Sequence, residues 1–145
     1  MCVLTGSLLA SFLVPGCSGS STTTYPVRGL VRFPDGKLLR EGTVEFETIG
    51  AGENITATGD IRPDGSFVLG TFSSNDGAVA GKHRAVVIAD VEIGTGAERP
   101  GMLAPTRLDQ KYRDFSTSGL QFDVQPGRND IVIDVQYASA LGTDE

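Results

Sequence analysis

Residues 120–136 read LQFDVQPGRNDIVIDVQ, and this stretch decides the fold. Leu120, Phe122 and Val124 alternate with Gln121, Asp123 and Gln125. Beyond Pro126-Gly127-Arg128-Asn129, the residues Ile131, Ile133 and Val135 alternate with Val132, Asp134 and Gln136. A period of two puts one set of side chains on a buried face and the other toward water. The stretch therefore predicts two strands joined by a turn, read as a hairpin. It speaks for a sheet and a core, and carries no chemistry.

Working outward, the same grammar recurs upstream. Residues 27–33 alternate around Val27, Gly29, Val31 and Phe33, and Pro34-Asp35-Gly36 is a turn. Proline presets φ there and glycine supplies the positive φ. Val44 and Phe46 alternate with Glu45 and Glu47 in a second strand over 43–49. Ile55, Ala57, Gly59 and Ile61 mark a third. After Pro63-Asp64-Gly65, Phe67 and Leu69 mark a fourth over 66–72, close enough to the third to predict another hairpin. Residues 83–91 are more continuously apolar, which suggests burial on both faces or a central position. Residues 92–115 show no period and contain Gly94, Gly96, Pro100, Gly101 and Pro105. They read as a long loop, with Tyr112 as an aromatic anchor and residues 94–104 as its unanchored middle. The expected fold class is all-β, a seven-stranded sandwich burying Val31, Phe46, Ile61, Phe67, Val87, Phe122 and Ile133. The domain spans residues 25–137, and 138–145 read as a frayed tail.

The chain of 145 residues is long enough for one domain with a core. Its net charge of −6 argues against nucleic acid, which demands a basic surface. Cys2 and Cys17 both precede the first strand, so no disulfide staples the domain.

Residues 1–16 hold no charged side chain and are rich in Leu, Val and Phe. They are too short for a spanning helix and fit the apolar region of a signal peptide. They lead into Leu13-Val14-Pro15-Gly16-Cys17, which resembles a bacterial lipobox, with Val14 and Gly16 matching and Pro15 departing from it. The resemblance implies lipidation of Cys17, and residues 18–24, SGSSTTT, then read as a flexible tether. More than one acyl chain anchors a protein stably.

The stretch VRGLVRFPDGKLL, followed by EGTVEF, resembles the opening of carboxypeptidase-regulatory-like domains, which have a transthyretin-like (prealbumin-like) sandwich. Gly29, Asp35, Gly36, Lys37, Leu38, Gly42, Val44 and Phe46 carry the match, with Asp64-Gly65-Ser66-Phe67 and residues 80–87 continuing it. Lys111-Tyr112, residues 117–120 and residues 126–129 look like the ending of small lipoproteins of this type from planctomycete-like bacteria. The resemblance covers residues 27–136. It implies an Ig-like, Greek-key sandwich whose first two strands lie in different sheets, with residues 35–42 crossing over and Leu38 plugging the end. Its motifs are turns and core positions, which say little about activity.

No catalytic residue, metal ligand or cofactor site is assigned. His83 is the only histidine and has no histidine cluster or Gly-x-Ser-x-Gly motif beside it, so it reads as a half-buried strand residue near a sheet edge. Lys111-Tyr112-Arg113-Asp114 departs from the Tyr-Arg-Gly-Ser ending of the transthyretin-related hydroxyisourate hydrolases. Asp60, Asp64, Asp76 and Asp90 lack the spacing of a calcium loop. Glu45 and Glu47 read as a solvated strand face, and the Asn54-Ile55-Thr56 triplet as chance. The expected function is non-enzymatic: a lipid-anchored structural, adhesion or assembly module on the bacterial cell envelope, periplasmic or surface-exposed. It would meet the membrane through its anchor and a protein or glycan partner on the envelope. The alternative is a carbohydrate- or peptide-binding module using the 92–115 loop.

Overall fold

A computed structural model describes residues 22–50, 52–89 and 108–139. The described residues form nine strands and one short 3₁₀ turn. The strands are β1 (Thr24–Tyr25), β2 (Val27–Arg32), β3 (Thr43–Thr48), β4 (Thr56–Asp60), β5 (Ser66–Val68), β6 (Ala78–Val79), β7 (Gly81–Ile88), β8 (Leu120–Val124) and β9 (Asn129–Asp134). The fold is all-β and sandwich-like. One sheet has the order β5-β2-β9, a second the order β4-β3-β7-β8, and β1 pairs with β6 as a two-stranded piece. Each of the seven expected segments holds a strand, and β1 and β6 are additional.

The alternation in the sequence sets the faces. Val27, Val31, Phe67 and Ile133 come inward from one sheet. Val44, Phe46, Ala57, Ala85, Val87 and Val124 come inward from the other, and together they form one buried cluster. Phe122 is half-buried and stacks on Phe46, ring centroids 5.1 Å apart. Gly29 has a packing reason. A Cβ there would strike the Ile131 carbonyl oxygen and come within 2.7 Å of the Phe67 ring, so only glycine lets β9 and Phe67 close over β2.

Both expected hairpins are corrected. β8 pairs with β7 and β9 pairs with β2, in parallel, so the 125–128 turn carries the chain from one sheet to the other. Likewise β4 pairs with β3 while β5 pairs with β2, leaving only an isolated bridge between Thr58 and Gly70. Period two reports which face a side chain takes and is silent about the neighbouring strand. The crossover over residues 35–42 does link the two sheets, since β2 and β3 lie in different ones. Leu39, not Leu38, packs against the core; Leu38 instead lies beside Gly65 in the facing turn.

β7 is central, flanked by β3 and β8, which accounts for its apolar run. Tyr112, in the 3₁₀ turn Gln110–Arg113, is 4% exposed and belongs to the core cluster, so it anchors the end of the long loop. Asp109 caps that turn by accepting from the Lys111 amide at 3.0 Å. Residues 94–104, the signal segment, Cys17 and residues 140–145 lie outside the described residues.

The register also gives the sandwich two distinct ends. Tyr25, Gly77, Ile49 and the 125–128 turn share the end at which the chain enters, joined by bonds such as Asn129 N–H to the Pro26 carbonyl at 2.9 Å. The turns at 34–37 and 62–65, Ala89 and the Leu108–Tyr137 bridge share the other. Strands of five or six residues separate the ends by roughly 20 Å.

Candidate functional site

A groove of about 460 Å³ lies on the outer face of the β4-β3-β7-β8 sheet. It is built from the outward Arg84 and Gln121, from the end of β3 and the turn beyond it, and from the segment that leads into β8. Arg84 of β7 stands opposite Glu47 of β3 in the register, and the two side chains meet at 2.5 Å. The Glu47 side chain is 13% exposed and that of Arg84 42%, so the carboxylate is nearly covered while the guanidinium reaches the groove. Phe115 lays its ring 5.1 Å from the guanidinium carbon, a cation–π contact. Thr48, Ile49, Asn54, Ser116 and Gln121 are among the other residues of the lining.

The segment carrying Phe115 is held by its own hydrogen bonds. Asp114 accepts from the Ser116 amide at 2.7 Å and hydroxyl at 2.6 Å. Those two bonds hold the Asp114 carboxyl below its usual range, against a small opposing effect of burial, and the nearby Arg84 charge adds to them. Ser118 donates to the Ala85 carbonyl at 2.6 Å, tying the segment to β7. The result is an aromatic ring, a paired charge and the amide and hydroxyl groups of Asn54, Gln121 and Ser116 around one groove. These groups can hydrogen-bond a polar ligand and stack against its apolar face.

The other candidates sit elsewhere. His83 is 1% exposed on the central strand, paired with Thr48 and Phe122, so the half-buried position near an edge expected for it is corrected on both counts. Its ring faces the core beside Phe46, centroids 6.0 Å apart, and its Nδ1 lies 2.9 Å from the Gly81 carbonyl oxygen. Burial pushes the imidazole below its ordinary value, partly opposed by that carbonyl and by Asp123. Glu45 and Glu47 do point outward, but Glu47 is engaged by Arg84. Asp64 accepts from the Ser66 amide and hydroxyl, and Asp76 from the amides of Thr71, Phe72 and Ser73 at 2.6–3.1 Å, so both carboxylates organise turns. Asp90 lies outside the described residues. Among the described residues, no group of three or more His, Cys, Asp or Glu is placed to hold a metal. None of their helices is long and apolar enough to cross a membrane.

Two arrangements escaped sequence reasoning. One is the Arg84–Phe115 pair, whose partners are 31 positions apart and meet only through the fold. The other lies at the end away from chain entry, where Tyr137 stacks on Phe33 with centroids 4.1 Å apart. Its hydroxyl donates to Asp35 at 2.9 Å, and Lys37 pairs with the same carboxylate. The Pro-Asp-Gly motif marked Asp35 as a turn residue, and only the ring at 137 hinted at a partner. With this geometry in hand, comparison with protein-family models, curated proteins and solved structures finds no match.

Proposed function

We propose that this protein is a non-enzymatic, lipid-anchored module of the bacterial cell envelope, carried on a transthyretin-like, carboxypeptidase-regulatory-like sandwich of Greek-key type. The observation that carries the reading is where the chain enters the domain. β1 begins at Thr24, at one end of the sandwich, seven positions after Cys17. Seven residues reach at most about 25 Å when extended. An anchor at Cys17 therefore holds that end near the bilayer and presents the opposite end, with Tyr137, Asp35 and the base of the 92–115 loop, outward. The crossover between β2 and β3 and the turn glycines at positive φ, Gly36 and Gly65, agree with the transthyretin-like reading.

Fractionation of cells tests the anchor. The wild-type protein is expected in the membrane pellet and Cys17→Ser in the soluble fraction. A wild type that is already soluble would defeat the reading.

A second reading, carbohydrate or peptide binding, is favoured by the groove at Arg84 and Phe115. The 92–115 loop contributes Phe115 to it. Under this reading Phe115→Ala and Gln121→Ala each weaken binding to envelope polysaccharide or peptide at least tenfold in a titration, a loss of about 1.4 kcal/mol. Unchanged affinity in both variants removes the groove from the account.

A further inference from the structure

The outer face of the β5-β2-β9 sheet carries a pattern that is self-complementary. β2 turns Arg28, Leu30 and Arg32 outward, and β9 turns Asp130, Val132 and Asp134 outward. The register places Arg28 beside Asp130, Leu30 beside Val132 and Arg32 beside Asp134. Both ionic rows are formed, with Arg28 Nε 2.5 Å from Asp130 and Arg32 2.8 Å from Asp134; Arg128 also reaches Asp130 at 3.2 Å. Between them lies an apolar row left open to solvent, Leu30 at 37% and Val132 at 45% exposure. The face thus has one basic strand, one acidic strand and an apolar centre.

We propose that this face pairs with the same face of a second copy of the chain. A two-fold contact uses the same patch on both partners, so the charge pattern selects the axis. An axis running along the strands, between β2 and β9, lays β2 of one copy over β9 of the other. Arg28 then meets the partner copy's Asp130 and Arg32 its Asp134, while Leu30 meets Val132. An axis across the strands instead lays Arg28 on Arg32 and Asp130 on Asp134, which like charges oppose. Aligned packing of two sheets at about 30° keeps the rows within reach of each other near the crossing point.

The selected axis has a consequence for attachment. Rotation about an axis along the strands leaves strand direction unchanged, so both copies put their chain-entry ends on the same side. On the anchored reading proposed above, two copies in one membrane can pair without either turning over. The face is small: two facing strands at about 4.8 Å spacing and six residues at about 3.3 Å give roughly 200 Å² per copy. That is well short of the area of a standard stable interface, so pairing is weak in dilute solution. Confinement of both copies to one surface raises their effective concentration and favours it.

A column-exchanged variant of the full chain, Arg28→Asp, Arg32→Asp, Asp130→Arg and Asp134→Arg, tests the pairing. It keeps the net charge and both Arg–Asp rows within each chain, losing the Arg128–Asp130 contact, and its melting curve checks that it folds. Self-association is measured by sedimentation equilibrium at protein concentrations approaching millimolar, and by energy transfer between labelled copies on lipid vesicles. The wild type and the variant are each expected to self-associate, more weakly as salt is added. On vesicles, where both copies keep their chain-entry ends toward the membrane and only the axis along the strands is open to them, an equimolar mixture should sort, with mixed pairs at least tenfold below the statistical share, because Arg then faces Arg and Asp faces Asp. Mixed pairs at or above that share overturn the proposal, as does a lack of self-association in both settings. Vesicle flotation reads the anchor separately, so a chain that self-associates in solution and fails to float defeats the anchored reading while leaving the pairing intact.

Discussion

Burial keeps His83 neutral, and this has a measurable pH signature. Its imidazole titrates below the ordinary value of 6.5 in the folded chain, while the unfolded chain titrates at that value. Between the two values the unfolded state binds more protons, so stability rises with pH across the window. The full contribution is present above 6.5 and is lost as the pH falls from there through the folded value. Urea melts between pH 8 and pH 5 are expected to show this loss in the wild type and a flatter profile in His83→Gln. Parallel profiles would mean the ring is solvated. At this scale the sequence reading placed His83 half-buried at an edge, and the ring is instead fully buried on an interior strand. The absence of partner residues around the lone histidine argued against catalysis, and the apolar run after it pointed to a central strand, but His83 itself, at the polar start of that run, read as an edge residue. Arg84 was less legible still, because its role depends on Glu47 across the sheet and on Phe115 from a distant segment.

The elements were legible as elements, and their pairing was not. Both 120–124 and 129–135 alternate as their burial requires, yet the chain between them changes sheets. What makes the corner is Asn129, 8% exposed at the start of β9. Its Oδ1 accepts from the Gln125 amide at 2.9 Å, and its Nδ2 donates to the carbonyls of Gln125 and Gly127 at 2.9 and 3.0 Å. One side chain thus satisfies a turn whose backbone is turned away from both ladders. Asn129→Ala leaves those groups without it and is expected to cost about 1–3 kcal/mol in chemical denaturation, the usual penalty for a lost buried partner. A change below the error of the melt would show that the corner is set by Pro126 and Gly127 alone. Asparagine after Pro-Gly-Arg reads as an ordinary turn residue in sequence, since the carbonyls it binds are placed only once the sheets have packed.

At the scale of the whole molecule, the account rests on polarity. The chain enters one end of a two-sheet sandwich, the long 92–115 loop departs from the other at Ala89, and its described end returns there at Leu108. On the anchored reading proposed above, a tether at the entry end would orient everything else: the groove of Arg84 and Phe115 on one outer face, the Arg–Asp rows on the other, and the Tyr137–Asp35 cluster at the outward tip. The alternation predicted a sandwich because period two over seven segments leaves two inner faces to bury. Polarity was hidden, because it depends on which strands are neighbours. The lipobox-like stretch ending at Cys17 is the remaining premise. Intact-mass and N-terminal analysis of the protein extracted from membranes tests it directly. The account predicts a chain that begins at Cys17 and carries the added mass of its acyl chains. A chain that retains residues 1–16, or one with an unmodified Cys17, would contradict it.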